Sequence, residues 1–266
     1  MRLTIYHKTI YRFGEGVIYG LQQLRKTPKS SRQQNVIAWQ TQVTGGHKEV
    51  RFEDHHNNIV ELVGFDRDVR EVVVSSEGTV DMDDTHGIVG RHFGPAPLWL
   101  YRKQTPRTQA RAGARALIRK LGTRDRGLDT MHALSALIRE DIAYRVGSSE
   151  PEWSAEDAIA AGEGVCQDHT HIFLACARAM GVEARYVSGY LMLDDRTVQD
   201  AMHAWAEAHI EGLGWVGFDI SNGISPDMRY VRVATGLDYG EASPVSGTRV
   251  GGTETDLEVK IDVAQQ

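Results

Sequence analysis

Three residues in the second half of this 266-residue chain have the types that covalent acyl chemistry requires: Cys166, His203 and Asp219. Cys166 follows the glycine-rich stretch Gly162-Glu163-Gly164-Val165 and opens a helical run to Met180 that Gly181 closes. A lone cysteine is ordinarily a small packing residue. That reading suits Cys176, set among Leu174, Ala175 and Ala177. Cys166 differs by position, because the unpaired N–H groups and the dipole of a helix N-terminus favour the nucleophilic thiolate. Such a nucleophile needs a group that takes up its proton and later gives one to the leaving group. His203, just before the strand-like run Ala204–Ala208, is placed to do this. Asp219 ends the apolar run Trp215-Val216-Gly217-Phe218, where an isolated charge would be costly. An imidazole N–H is its natural partner, and the carboxylate would then fix the ring's tautomer and orientation.

This assignment carries a geometric condition. The turn between the two runs lies around Glu211-Gly212-Leu213-Gly214. Antiparallel neighbours share a face only in the right register. His203 and Asp219 become diagonal neighbours if Trp205 lies opposite Asp219, which a three- or five-residue loop gives. A clean four-residue loop would send them to opposite faces unless a bulge intervenes.

The surrounding elements have to hold these groups. Residues 1 to about 85 read as short strands: Leu3-Ile5-His7, Val36-Ile37-Trp39, and a hairpin from Val50-Phe52 to Ile59-Val63 across Asp54–Asn58. This is a β-sandwich-like pattern. Residues 86–106 lose periodicity and hold Pro95, Pro97 and Pro106, as expected of a crossing. A helical period then takes over at Ala110, Ala114, Leu117 and Leu121, and again from Leu128 to Ile142. Ser154-x-x-Asp157 has the form of a capping box. Strand-like stretches follow at Val182–Leu193, Ala204–Ile210 and Trp215–Ser221, and the tail beyond about 224 is less periodic. The fold class is α+β. The expected division is a β-rich accessory domain over 1–90, a linker over 91–106, and a core over 107–266 with a C-terminal extension. In that core the nucleophile sits at a helix N-terminus packed on an antiparallel sheet.

At these residues the chain resembles the bacterial transglutaminase-like proteins, within the wider transglutaminase and papain-like group of cysteine enzymes. The family's Gly-Val-Cys-Gln-Asp motif is met at Gly164–Asp168, its His-Ala-Trp-Ala-Glu motif at His203–Glu207, and its Gly-Trp-x-x-Phe-Asp motif at Gly214–Asp219. LTIYHKTIYRF, LQQLRKTPKSSRQQNV and DHHNNIVEL resemble the family's accessory β-domain, and VATGLDYGEASPVSG resembles its ending. The chain departs from the pattern at His169, where an aromatic is usual, and at Ile220-Ser221 and Leu237. The resemblance implies Cys166, His203 and Asp219 as a catalytic triad. It also implies acyl transfer on amide bonds of peptides or proteins through a thioester, by a hydrolase (protease or amidase) or a transglutaminase according to the acceptor. The alternative is a non-catalytic peptide-binding module of the same fold.

Bulk properties narrow the setting. Hydrophobic residues make up 41% and charged residues 25%, as in ordinary globular chains. The net charge of −6, with no basic stripe interleaved with aromatics, argues against a nucleic-acid groove. No apolar run reaches membrane-spanning length, the start lacks a leader-like apolar stretch, and the two cysteines are too far apart along one helix to pair. A cytoplasmic protein is expected. A peptide or protein substrate is the expected partner, with neither nucleic acid nor membrane.

No cofactor or metal is expected. Cys166, His169 and His203 could share a zinc ion, but His169 and His171 diverge on a helix. Asp81, Asp83 and Asp84 read as a solvated turn rather than a calcium loop. His169, His55 and His56 read as surface residues, Trp205 as a core aromatic beside the His–Asp pair, and Gln167 and Asp168 as helix-start electrostatics.

Overall fold

The computed structural model describes residues 1–123, 125–193, 197–199, 201–253 and 255–266. It begins with strands β1 (Arg2–Leu24), β2 (Gln34–Thr44), β3 (Gly46–Glu53), β4 (Ile59–Phe65), β5 (Val69–Met82) and a short β6 (Ile88–Gly90). Two 3-10 turns, Leu98–Arg102 and Pro106–Thr108, lead into α1 (Ala112–Leu121), α2 (Leu128–Asp141), β7 (Ala143–Tyr144), α3 (Ala155–Ala161) and β8 (Glu163–Gly164). Then come α4 (Cys166–Ala179), β9 (Ala184–Leu191), β10 (Val198–Gln199), β11 (His203–Ile210), β12 (Gly214–Phe218), β13 (Tyr230–Gly236), α5 (Tyr239–Ala242), β14 (Val245–Gly251) and β15 (Thr255–Gln265).

The long β1 organises the accessory sheet. Its first half runs between β5 and β15, and its second half between β14 and β4, with the change of partners around Gly14–Gly16. Among the described residues, eight strands thus form one hydrogen-bonded sheet that curls on itself. Phe13, Val17, Leu24, Val63, Val72 and Val74 cluster within it. The hairpin of β3 and β4 closes through Asn57, which holds a left-handed φ of 67° that asparagine tolerates. The Asp54 carboxylate accepts from the backbone N–H groups of His56 and Asn58 across that turn.

Sheet membership divides the chain differently from composition. β14 and β15, beyond residue 244, return to pair with β1, while β6 leaves the N-terminal segment to pair with β12. The tail is therefore regular strand. Its alternation, Leu257-Val259-Ile261-Val263, is readable in the sequence but fades among charged neighbours. The proline-rich stretch marks the crossing of the chain, whereas strand pairing is non-local and leaves no such mark.

The second sheet has the order β13-β9-β11-β12-β6 and is antiparallel throughout. On β11 the side chains alternate: Ala204, Ala206 and Ala208 belong to the cluster around α4, where their small size lets the helix approach, and Trp205 belongs to a separate cluster. From Asp168 to Arg178 every residue of α4 is buried. It is a central helix, wrapped by α1, α2, α3 and the sheet. The capping box at Ser154 and Asp157 forms as expected. Beyond the sheet, Leu3, Ile5, Ile261 and Val263 of the accessory sheet meet Tyr190, Val231 and Val233.

Polar side chains complete this join. β13 is an edge strand, and amides from the accessory domain supply what a further strand would. Gln34 accepts from the Arg232 N–H and donates to its carbonyl, both at 2.8 Å. Asn58 does the same for Thr235, at 2.8 and 2.7 Å. On the core strands, buried Glu207 accepts from Arg185 at 2.6 Å and from Arg232 at 2.8 Å, and the Arg185 guanidinium lies 3.9 Å from the Trp215 ring centre. Burial opposes the charge on Glu207, but the two guanidinium groups outweigh it and hold the carboxyl below its ordinary range. Glu207→Ala should cost about 3–5 kcal/mol in urea unfolding, because it strands the buried Arg185 charge. A loss under about 0.5 kcal/mol, the scale of an ordinary surface change, would contradict this account.

Candidate active site

The loop between β11 and β12 has three residues, Glu211, Gly212 and Leu213. Ile210 pairs with Gly214 and Ala206 with Phe218, so the register, continued by one residue, sets Trp205 opposite Asp219. This meets the condition read from the sequence. His203 Nε2 donates to Asp219 Oδ2 at 2.6 Å. A carboxylate can only accept, so Nε2 carries the proton and Nδ1 is the ring nitrogen left for Cys166. Gly189 lies opposite His203 on β9. A Cβ there would stand 2.2 Å from the Val231 carbonyl and 2.5 Å from the Trp205 ring, so only glycine lets that ring close over the pair. Trp205 stacks 6.3 Å from His203 and meets Tyr230 edge-on at 5.5 Å.

Asp219 is fully buried and its carboxylate is saturated with donors. Besides His203, Oδ2 accepts from Tyr230 Oη and Asn222 Nδ2, both at 2.7 Å, and Oδ1 accepts from the Asn222 N–H at 3.1 Å. Burial alone would raise its pKa; the His203 ring and these donors reverse the shift and keep the group ionised. For His203, burial alone would lower the pKa. The Cys166 sulfur and the Asp219 carboxylate reverse that too, lifting the imidazole to about 10. Tyr230 and Asn222 escaped the reading of the sequence. Asn222, three residues after Asp219, has spacing for a local side-chain turn, but Tyr230 is brought in by β13 and has no local signal.

Cys166 begins α4, partly exposed and free of any disulfide, as is buried Cys176. The Asp168 carboxylate reaches back to the Val165 N–H at 2.8 Å and accepts from Ser149 Oγ at 2.6 Å, fixing the turn that delivers the thiol. Gln167 ties the same turn to the Pro151 carbonyl at 3.0 Å. Burial pushes the Cys176 thiol up to about 12.

Two histidine readings need correction. His169 is buried, not on the surface. Its Nδ1 bonds Ser221 Oγ at 3.0 Å and its ring meets Tyr144, so it fills an aromatic's place inside α4's packing. The zinc set of Cys166, His169 and His203 is not assembled among the described residues. His56 is also buried, bonded to Tyr101 Oη at 3.1 Å and Glu241 at 2.7 Å, while His55 beside it is exposed. Among the described residues, His55, His56 and Glu241 are the group that converges with ligand-like spacing, and Cys166 is not part of it.

Cys166 and His203 open onto a cavity of about 340 Å³ between the core and the accessory sheet, with Tyr11, Met202, Tyr239 and Leu257 among its walls. A larger hollow of about 640 Å³, beside Arg115, Arg119 and Arg126, touches none of the three residues. Among the described residues, no helix is long and apolar enough to cross a membrane.

The raised imidazole gives a direct test. Proton NMR of the His203 ring should show a titration near 10. Cys166→Ala and Asp219→Asn should each lower it, since each removes a group that favours the imidazolium. A midpoint at the ordinary histidine value of ~6.5 in the unaltered protein would contradict the assigned contacts. The sign for stability follows: the pair's contribution is complete below the unfolded value and is lost as pH rises through about 10.

Comparison with known proteins agrees with this architecture. A model of the transglutaminase-like superfamily matches residues 115–220, which include Cys166, His203 and Asp219, and one of the bacterial transglutaminase-like N-terminal region matches residues 3–81. An uncharacterised protein of Mycobacterium leprae is 25% identical, with 99% of both chains covered. One from Mycobacterium tuberculosis is 35% identical over 147 residues, covering 51% of this chain and 47% of its own. A crystal structure of a candidate cysteine protease from Cytophaga hutchinsonii superposes with a TM-score of 0.77, covering 100% of this chain and 91% of its own at 20% identity, which supports the shared fold. On the motifs and the two matched regions, this chain carries a transglutaminase-like core over residues 115–220 behind a bacterial transglutaminase-like N-terminal region over residues 3–81.

Proposed function

We propose that this chain is a cysteine-dependent acyl-transfer enzyme acting on amide bonds of peptides or proteins. The observation that carries the reading is the 2.6 Å bond from His203 Nε2 to buried Asp219, which leaves the other ring nitrogen for Cys166 at the mouth of α4. Cys166 sulfur attacks the carbonyl carbon and a tetrahedral oxyanion forms. The backbone N–H of Cys166, in the first turn of α4, is the donor that stabilises it. His203, as imidazolium, gives its Nδ1 proton to the departing amine; the C–N bond breaks and a thioester remains. His203, now neutral, takes a proton from the incoming acceptor, which attacks the thioester and expels the sulfur. Water as acceptor releases a carboxylic acid, the outcome of a protease or amidase. An amine as acceptor makes a new amide, the outcome of a transglutaminase. Asp219 stays ionised throughout and holds the ring. The name of the Cytophaga hutchinsonii relative favours water.

Alkylation tests the nucleophile without knowledge of the substrate. At pH 6–7, iodoacetamide should modify Cys166 and leave Cys176 untouched, since the latter is buried with its thiol pushed up to about 12. His203→Ala should slow the labelling of Cys166 by roughly tenfold or more, because the thiol loses the group that takes up its proton. Slow labelling of Cys166, indifferent to His203, would instead support a binding module with an idle thiol.

A further inference from the structure

The cavity that holds Cys166 has a second polar group on its opposite wall, and it comes from the accessory domain. His7 and Thr9 of β1 and Lys26 just beyond β1 line it together with Cys166 and His203. On β1 the buried face alternates as Leu3, Ile5, His7, Thr9, so the positions nearest the cavity are polar where the pattern calls for apolar residues. Lys26 has no exposed surface. Its Nζ donates to Thr9 Oγ1 at 2.8 Å. Thr9 Oγ1 lies 3.2 Å from His7 Nε2, and His7 Nδ1 lies 3.0 Å from Tyr190 Oη. Among the described residues no carboxylate comes within ion-pair distance of Lys26, in contrast to buried Arg185 and Glu207, which compensate each other. Burial pushes Lys26 down to about 7 with no charged neighbour to offset it, and the same burial, helped by Lys26, keeps His7 neutral.

An amine this deeply buried and bonded to a single hydroxyl is a poor structural element, because it must either carry an uncompensated charge or give up its proton. An apolar residue would fill the same space without that cost. The remaining walls, Tyr11, Met202, Val245 and Val259, are largely apolar, so the cavity has the form of a small-ligand site with few convergent polar groups. The missing partner is an anion. A lone lysine is a compact point charge suited to one singly charged oxygen group, whereas a phosphoryl group calls for several donors or a guanidinium fork.

We propose that this cavity selects substrates bearing a carboxylate, which draws the Lys26 ammonium out from behind Thr9 while the scissile carbonyl lies at Cys166. The inference rests on acyl transfer at Cys166. The carboxylate can belong to the acyl chain, as in an acidic peptide segment, or to the leaving group, as in a free peptide C-terminus. Thr9, beside neutral His7, holds the ammonium in the cavity wall until either arrives.

Two matched pairs of activated esters separate these cases. The first is mono-4-nitrophenyl terephthalate, whose para carboxylate cannot reach its own ester, against its methyl ester, with the charge on the acyl group. The second is 3-carboxy-4-nitrophenyl acetate against its methyl ester, with the charge on the leaving group. Each releases its nitrophenolate as the sulfur–carbonyl bond forms, so the burst rate reads acylation of Cys166. The readout is the acid-to-methyl-ester ratio, in the full chain and in Lys26→Met, with near-UV circular dichroism as the check on folding. We expect the acid to be favoured by roughly tenfold in one pair, the scale of a hydrogen bond to a charged group, and Lys26→Met to abolish the preference. A preference in the first pair assigns the carboxylate to the acyl chain, and in the second to the leaving group. Bursts from all four esters with no acid preference in the unaltered protein, or with one that survives Lys26→Met, would overturn the subsite alone. No burst from any ester would overturn acyl transfer, and the subsite with it.

Discussion

The structure turns on a carboxylate taken out of water. Asp219 has no exposed surface, and a carboxylate in that position is tolerable only when its lone pairs are filled. Its four donors come from three places: His203 at the start of β11, Asn222 in the turn after β12, and Tyr230 at the start of β13. Satisfying the charge therefore fixes the register of one hairpin, the path of a turn and the placement of an edge strand at once. The histidine is oriented as a consequence, and its proton is held on Nε2. Trp205 and Tyr230 then cover the pair, and Gly189 provides the room for that cover.

A second constraint concerns the join between the two sheets. The edge of β13 would leave N–H and C=O groups unpaired, and Gln34 and Asn58 fill them with side-chain amides. This polar stitching, with the apolar contact around Leu3, Ile5 and Val231, sets the accessory sheet against the core. The cavity beside Cys166 is a product of that placement, since its far wall is made of β1, β14 and β15. The accessory domain is thus part of the site rather than an appendage. The return of β14 and β15 to β1 ties the two ends of the chain into the same wall.

Much of this was legible in the residues. The helix start at Cys166, the strands carrying His203 and Asp219 and their register followed from periodicity and loop length. The α+β class followed from the order of elements. What escaped was what long-range pairing decides. The strands of the tail pair with residues more than 200 positions away, so the alternation of Leu257-Val259-Ile261-Val263 had no visible partner. Tyr230, Lys26 and Glu207 look like ordinary polar residues in sequence and acquire their roles from neighbours that folding supplies. His56 and His169 were misread for the same reason: each lies in a polar stretch, and each is buried because a partner, Tyr101 or Ser221, arrives from elsewhere.

The central claim is that Cys166, driven by His203, forms a thioester. The most direct measurement is to capture it: mix the protein with a small activated acyl donor at neutral pH, quench in acid and map the added mass by peptide mass spectrometry. The account predicts one acyl group, on Cys166, released by hydroxylamine, and formed on the order of a hundredfold more slowly or worse in His203→Ala. Acyl groups absent from Cys166, or accumulating there at the same rate without His203, would contradict it.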